Sequence, residues 1–170
     1  FEMFSGQRMM TSYIRIGGLA LDHPRGGLAA IKKFADSFPE KVDQYEELLN
    51  SNPIWINRTQ GVGYLTLEDM LDMGVTGPMI RAAGQAWDIR KSEPYSSYEK
   101  FDFEVPVETA SDVWSRYRVR ARELRESTKI IQQAVAGMPE GEWKASAPKV
   151  VLPDREKMKT QMEALIYHFK

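Results

Sequence analysis

The side chains with the widest chemical reach are scarce in this sequence. It contains no cysteine and two histidines, His23 and His168. That excludes a thiolate zinc site, a catalytic thiol, a disulfide framework, an iron–sulfur cluster held by the chain's own sulfurs and a metal site built on several histidines. Carboxylates are plentiful, but pairs such as Asp69/Asp72 and Glu46/Glu47 fall on polar helix faces, where solvation accounts for them. No serine sits in a nucleophile-elbow sequence, so a Ser-His-Asp triad has no support. Gly61-Val62-Gly63 lacks the third glycine of a dinucleotide fingerprint, and no Walker pattern occurs. Catalysis by this segment unaided is not expected, and no metal or cofactor is expected to be bound by the chain itself.

Charge patterning offers two further candidates. Arg118, Arg122, Arg125 and Lys129 recur at helical spacing and form a basic stripe. It reads either as a docking surface for an acidic partner or nucleic acid, or as a solvated face relieved by Glu123 and Glu126. The run from Leu67 to Gly84 imitates a helix-turn-helix DNA reader. Its second helix, opening at Pro78 and closing at Gly84, is under two turns long and offers little to a major groove.

The elements that must position these residues are mostly helical. One helix carries Leu28, Ile31, Ala35 and Phe38 and is predicted to end at Ser37. There Ser37-x-x-Glu40, a capping box with Pro39 in its first turn, starts a second with Val42, Tyr45, Leu48 and Leu49 on its buried face. Gly61–Leu65 and the alternating Phe101–Val105 read as short strands. Thr66 with Asp69 caps a helix ending at Gly74. The longest helix is predicted from about Ala110 to Ala136, capped by Thr109 with Asp112. Its bundle seam is Val113, Tyr117, Ala121, Leu124, Thr128, Ile131 and Val135. A terminal helix of Met158 to Phe169 keeps apolar spacing up to Lys170. The core is expected where the long helix packs with the Val42–Leu49 and terminal helices.

Composition agrees with an ordinary domain: 170 residues, 42% hydrophobic and 28% charged. A net charge of −1 supplies no global field to gather nucleic acid or anionic lipid. No apolar run approaches the ~20 residues needed to cross a bilayer. Phe1, Met3 and Phe4 open the chain without a cap, and no Gly or Pro stops the last helix. The expectation is a single segment, residues 1–170, from the middle of a longer chain.

Six stretches then carry a resemblance. SGQRMMTSYIRIGGLALDHPRG, NPIWINRTQGVG, GVTGPMIRAAG, WDIRKSEPYSSYEKFDFEVPV, RELRESTKIIQQAVAGMPEG and MEALIYHFK occur in this order. Together they resemble the D-subunit family of the proton-pumping NADH-quinone oxidoreductase, respiratory complex I, over essentially the whole chain. The resemblance implies a mainly α fold, the helical-bundle part of a hydrogenase-large-subunit-like fold with a few short strands. It implies a peripheral-arm protein that packs against the complex's B subunit, whose cysteines hold the terminal [4Fe-4S] cluster. Quinone would be reduced between the two, near the membrane-embedded H subunit. The C and I subunits are further implied partners, and the implied location is peripheral, on the cytoplasmic face of the bacterial inner membrane. Nucleic acid is not an implied partner. The family's quinone-headgroup His and Tyr, and the Asp that partners the His, belong upstream of Phe1.

Two positions acquire roles by this resemblance. Arg15, in YIRIGG, matches a family arginine near the terminal cluster, where a fixed cation stabilises the reduced state; the alternative is an arginine that closes a turn against a carbonyl. At Met10, in QRMMTSY, many relatives place a histidine that couples cluster reduction to proton uptake. Methionine cannot protonate, and this departure resembles members working with low-potential menaquinone. Arg81 and Arg90, in MIRAAG and DIRK, are expected to tie glycine-bounded turns to the body of the protein, each guanidinium fork satisfying two or more carbonyls, with a direct ligand role as the alternative. The alternative is the large subunit of a membrane-bound nickel-iron hydrogenase of the formate-hydrogenlyase type, which shares GVTGPMIRAAG-like and DIRK-like blocks.

Overall fold

Residues 1–169 are described by the structure, a computed structural model. They are mainly helical, with a single two-stranded sheet among them. Two compact units emerge among them, one of residues 31–138 and one of residues 1–30 with 139–169. Lys170, to which the apolar spacing of the last helix runs, lies outside the described residues.

The longer unit is organised on two helices, α2 (Gly27–Asn50) and α7 (Val113–Ala136). They run antiparallel: Tyr117 Oη donates to the Asn50 side chain, Arg125 pairs with Asp43 and Glu46, and Gln132 reaches Asp36. Helix α2 is unbroken where a stop and restart were predicted at Ser37. Pro39 leaves the Ala35 carbonyl without its intrahelical donor, and Gln132 Nε2 of α7 donates to that oxygen at 3.4 Å. Ser37 bonds back to the Phe34 carbonyl, and Glu40 pairs with Gln44 instead of reaching back as a capping box. A tertiary partner has compensated a local stop signal.

Helix α7 begins three residues later than predicted. Asp112, not Thr109, is its N-cap, one carboxylate oxygen accepting Ser115 N–H at 2.7 Å and the other Gly61 N–H at 2.7 Å. At 24 residues it spans about 36 Å. Its predicted seam holds in part. Ala121 and Thr128 are buried, whereas Leu124 is 42% exposed, and the remaining buried positions are Ser115, Val119 and Glu126. Several elements crowd α7, so burial is not confined to one stripe.

Neither predicted strand in this unit forms. Gly61 and Gly63 adopt left-handed φ of +70° and +66°, which bends the segment out of a ladder. Its backbone is satisfied by the start of α7: Val113 N–H donates to Val62 O, Arg116 to Gly63 O and Ser111 Oγ to Leu65 O. Residues 101–107 are extended but likewise unpaired with any strand. The Gln133 amide brackets Asp102, accepting its N–H at 2.8 Å and donating to its C=O at 2.7 Å. Glu126 accepts Glu104 N–H, and Arg122 donates to Val107 O. Side chains of α7 replace a neighbouring strand.

Short helices α3 (Pro53–Thr59), α4 (Leu67–Asp72), α5 (Pro78–Ala82) and α6 (Ile89–Ser92) fill the intervening chain, followed by a 3-10 turn at Tyr98–Lys100. Thr66 caps α4 by accepting Asp69 N–H, as its spacing predicts. Helix α5, the would-be recognition helix, is five residues long and buries Ile80, Arg81 and Ala82. It packs on α7 and has no face to offer a groove of DNA.

The other unit contains α1 (Glu2–Ser5), the hairpin β1 (Ile14–Arg15) and β2 (Gly18–Leu19), and helices α8 (Arg155–Thr160) and α9 (Met162–Phe169). The predicted continuous terminal helix is broken at Gln161, whose extended backbone (φ −127°, ψ 120°) folds α8 against α9. Ala164 is buried in α9, and Met158 of α8 is half-buried.

Candidate functional site

The hairpin that carries Arg15 arises from a local glycine requirement. Ile14 pairs with Leu19 and Arg15 with Gly18, joined by Ile16-Gly17. Gly17 turns at φ +83°, and a Cβ on Gly18 would collide with the Trp143 carbonyl. The close approach allows Leu19 N–H to donate to Trp143 O at 3.0 Å and Ala145 N–H to Gly17 O at 2.8 Å. One edge of the hairpin is thereby fastened to residues 143–145.

Its outward residues are strongly apolar. Met10 is 92% exposed, and Met9, Ile14, Ile16 and Leu21 are also exposed. So many exposed large apolar side chains within residues 9–21 mark a surface built to be covered. Arg15 sits within it. Its Nε donates to Ser12 O at 3.1 Å, and no carboxylate lies within ion-pair distance among the described residues. Met10 offers no ionisable group.

Arg15 borders two hollows. A small one of about 250 Å³ includes Ser5, Ser12 and Tyr13. A larger groove of about 410 Å³ brings Arg15 beside Lys144, Arg155 and His168 over an apolar lining that includes Leu19 and Val151. No motif marks Lys144 or Arg155, because they lie far along the chain from Arg15 and are gathered by the fold. The donor set does not fit direct ligation of an iron–sulfur cluster, since the chain has no cysteine.

The other arginines occupy a different environment. Arg81 is 7% exposed. Its Nε donates to Glu123 Oε1 of α7 at 2.7 Å, one terminal nitrogen donates to the Trp87 carbonyl at 3.0 Å, and Asp88 lies 3.9 Å away. Arg90 grips Asp88 with a fork, Nη2 to Oδ2 at 2.6 Å, and lies over the ring of Phe103 at 4.8 Å. The Arg90 hydrogen bond, opposed by burial, holds the Asp88 carboxyl below its ordinary range. Arg81 thus links α5, the Trp87 turn and α7 through one carbonyl and two carboxylates. Arg90 contacts a carboxylate and aromatic faces rather than carbonyls.

The basic stripe of α7 is paired throughout by the chain's own acids. Arg118 and Arg122 lie 3.4 and 3.3 Å from Glu108. Arg125 meets both Asp43 and Glu46, and Lys129 meets Glu126 at 2.6 Å. Burial pushes the Glu126 carboxyl up, but the Lys129 ammonium and the Glu104 amide outweigh it and leave it lowered. Glu108, Asp43 and Glu46 were not linked to this stripe by sequence spacing, because they come from other segments.

Comparison with known proteins adds an independent finding. The family model described as "Respiratory-chain NADH dehydrogenase, 49 Kd subunit" matches residues 1–170. The chain is similar to the NADH-quinone oxidoreductase D 1 subunit of Solibacter usitatus (strain Ellin6076), 68% identical over all of this chain and 42% of that protein. The D 2 subunit of Koribacter versatilis (strain Ellin345) is 61% identical over the whole chain and 42% of its own length. The D subunit of Rickettsia typhi (strain ATCC VR-144 / Wilmington) is 48% identical, with 44% of its length covered. The chain spans less than half the length of these relatives.

Proposed function

Because the chain belongs to the family of the respiratory-chain NADH dehydrogenase 49 kDa subunit, we propose that it forms part of the quinone-site protein in the peripheral arm of a proton-translocating NADH:quinone oxidoreductase. In this role it supports electron transfer from NADH to quinone without ligating a redox centre. It packs beside the terminal [4Fe-4S] cluster held by the B subunit, with the C, I and H subunits as further neighbours. Its architecture is then the helical part of a hydrogenase-large-subunit-like fold. Among the described residues no helix is long and apolar enough to cross a membrane. In this reading, attachment to the cytoplasmic face of the bacterial inner membrane comes through the assembled complex.

The observation that carries this reading is the exposed hairpin within a chain whose every residue falls inside the family match. Arg15 there is a cation with no carboxylate of its own among the described residues, set in an apolar surface. Such a cation, covered by a partner and shielded from water, favours the more negative state of a nearby cluster. The relatives described above carry the quinone-oxidoreductase name, which favours this reading over a nickel-iron hydrogenase.

The test is made in the intact complex. Arg15→Met is expected to lower the midpoint potential of the terminal cluster and alter its paramagnetic signal, and Arg15→Lys is expected to restore most of the potential. A cluster with unchanged potential and signal in Arg15→Met would overturn the placement of this hairpin.

A further inference from the structure

We infer that the groove beside the hairpin is a docking site for an extended acidic segment of the neighbouring subunit, gripped by Arg15, Lys144 and Arg155. The inference rests on the reading that the hairpin faces another subunit, and it deepens that reading by naming what the groove receives.

Two sets of cations in the molecule differ in how they are paired. On α7 each of the four cations in the stripe has a carboxylate of the same chain within ion-pair distance. Around the groove the pattern is reversed. Arg15, Lys144 and Arg155 come from three separate segments, line the same 410 Å³ space, and have no carboxylate partner among the described residues. The one acid on the lining, Asp154, lies 3.7 Å from Lys157. Three like charges share a lining with only this one acid, which already faces Lys157, so they repel one another and the groove favours an anionic occupant.

The shape and lining select the kind of anion. Leu19 and the buried Val151 make part of an apolar lining, which suits the side-chain stems of a peptide. Two of the three cations are arginines, whose forks match carboxylates two oxygens at a time. Membrane attachment by basic residues generally draws on clusters of about four to eight cations displayed toward the lipid surface. Three cations lining one concave site instead fit carboxylates spaced along a chain. Arg15 belongs both to the groove and to the exposed apolar hairpin, so one partner could cover the two without a break.

Zero-length carbodiimide cross-linking of the intact complex, followed by peptide mass spectrometry, tests this. The Lys144 amine is expected to form an amide with an Asp or Glu of a neighbouring subunit. Lys144→Arg should abolish that cross-link while leaving the complex assembled. The double variant Lys144→Glu/Arg155→Glu should lose the intersubunit contact at several-fold lower salt than the natural complex. Replacing the cross-linked acid by lysine should then recover it. Links from Lys144 only to carboxylates of its own chain, no link to another chain, or binding of the purified protein to phosphatidylserine vesicles that is lost in the double variant would overturn the proposal. If Lys144 gives no such link while Arg15→Met still shifts the cluster potential, the groove assignment fails and the placement of the hairpin stands.

Discussion

Arg81→Ala removes the cation that links α5 to α7. Its side chain is 8% exposed, and it serves Glu123 through Nε, the Trp87 carbonyl through a terminal nitrogen, and Asp88 at 3.9 Å. Asp88 keeps the Arg90 fork and so stays partnered. Glu123 loses its cation while its side chain is only 18% exposed. Breaking a buried pair costs about 3–5 kcal/mol, and the partial solvent access of Glu123 places this case near the lower end. An orphaned Trp87 carbonyl adds about 1 kcal/mol. The expected loss is therefore about 4 kcal/mol in urea unfolding of the full-length protein. Arg81→Met/Glu123→Leu removes both charges and should be less destabilised than Arg81→Ala alone, because no uncompensated carboxylate is left. A double variant whose loss equals the sum of the two single losses would refute the idea that this ion pair fastens the elements.

Three other perturbations test separate parts of the fold. Asp88, Asp112 and Glu126 all have carboxyls held below their ordinary ranges. Their stabilisation should be fully present above about pH 4–4.5 and lost as pH falls through the lowered values; Asp112→Asn should flatten that acid limb in a pH series of unfolding curves. Ser111 holds a left-handed φ of +54° while its hydroxyl donates to Leu65 O. Glycine relieves about 1 kcal/mol of strain and gives up a hydrogen bond of similar worth, so Ser111→Gly should be near neutral, and Ser111→Ala about 1 kcal/mol less stable than the glycine variant. Gln133→Leu should raise amide hydrogen exchange at Asp102 by removing the bracket on residues 101–107, with little change along α4.

Local chemistry made the cap of α4 legible, because Thr66 and Asp69 are three residues apart and need no other partner. It misled at Ser37, where the same kind of signal is overridden by Gln132, almost a hundred positions away in sequence. Gly61–Leu65 and Phe101–Val105 have strand-like patterns, yet their backbones are met by Asp112, Arg116, Glu126 and Gln133 rather than by strands. Periodicity alone could not identify those partners. The hairpin at Ile14–Leu19 was hidden for the opposite reason: two-residue strands have no period, and its position depends on Gly18 meeting Trp143. Helical spacing revealed the stripe of Arg118, Arg122, Arg125 and Lys129, but its neutralisation depends on Glu108, Asp43 and Glu46 from distant segments. Family resemblance pointed to Arg15 and Met10, whereas Lys144 and Arg155 emerged only in three dimensions.

The most direct test of the placement beside the terminal cluster is a redox titration of that cluster's paramagnetic signal in the intact complex between about pH 6 and 8. A nearby histidine would take up a proton on reduction and make the midpoint fall as pH rises, by at most about 59 mV per pH unit for one electron and one proton. With Met10 in that place the natural protein is expected to show a nearly flat midpoint, and Met10→His to introduce a downward slope. Arg15→Met should lower the whole line without changing its slope, because arginine stays charged throughout. A clear slope in the natural protein, or no response of the midpoint to either substitution, would contradict the account.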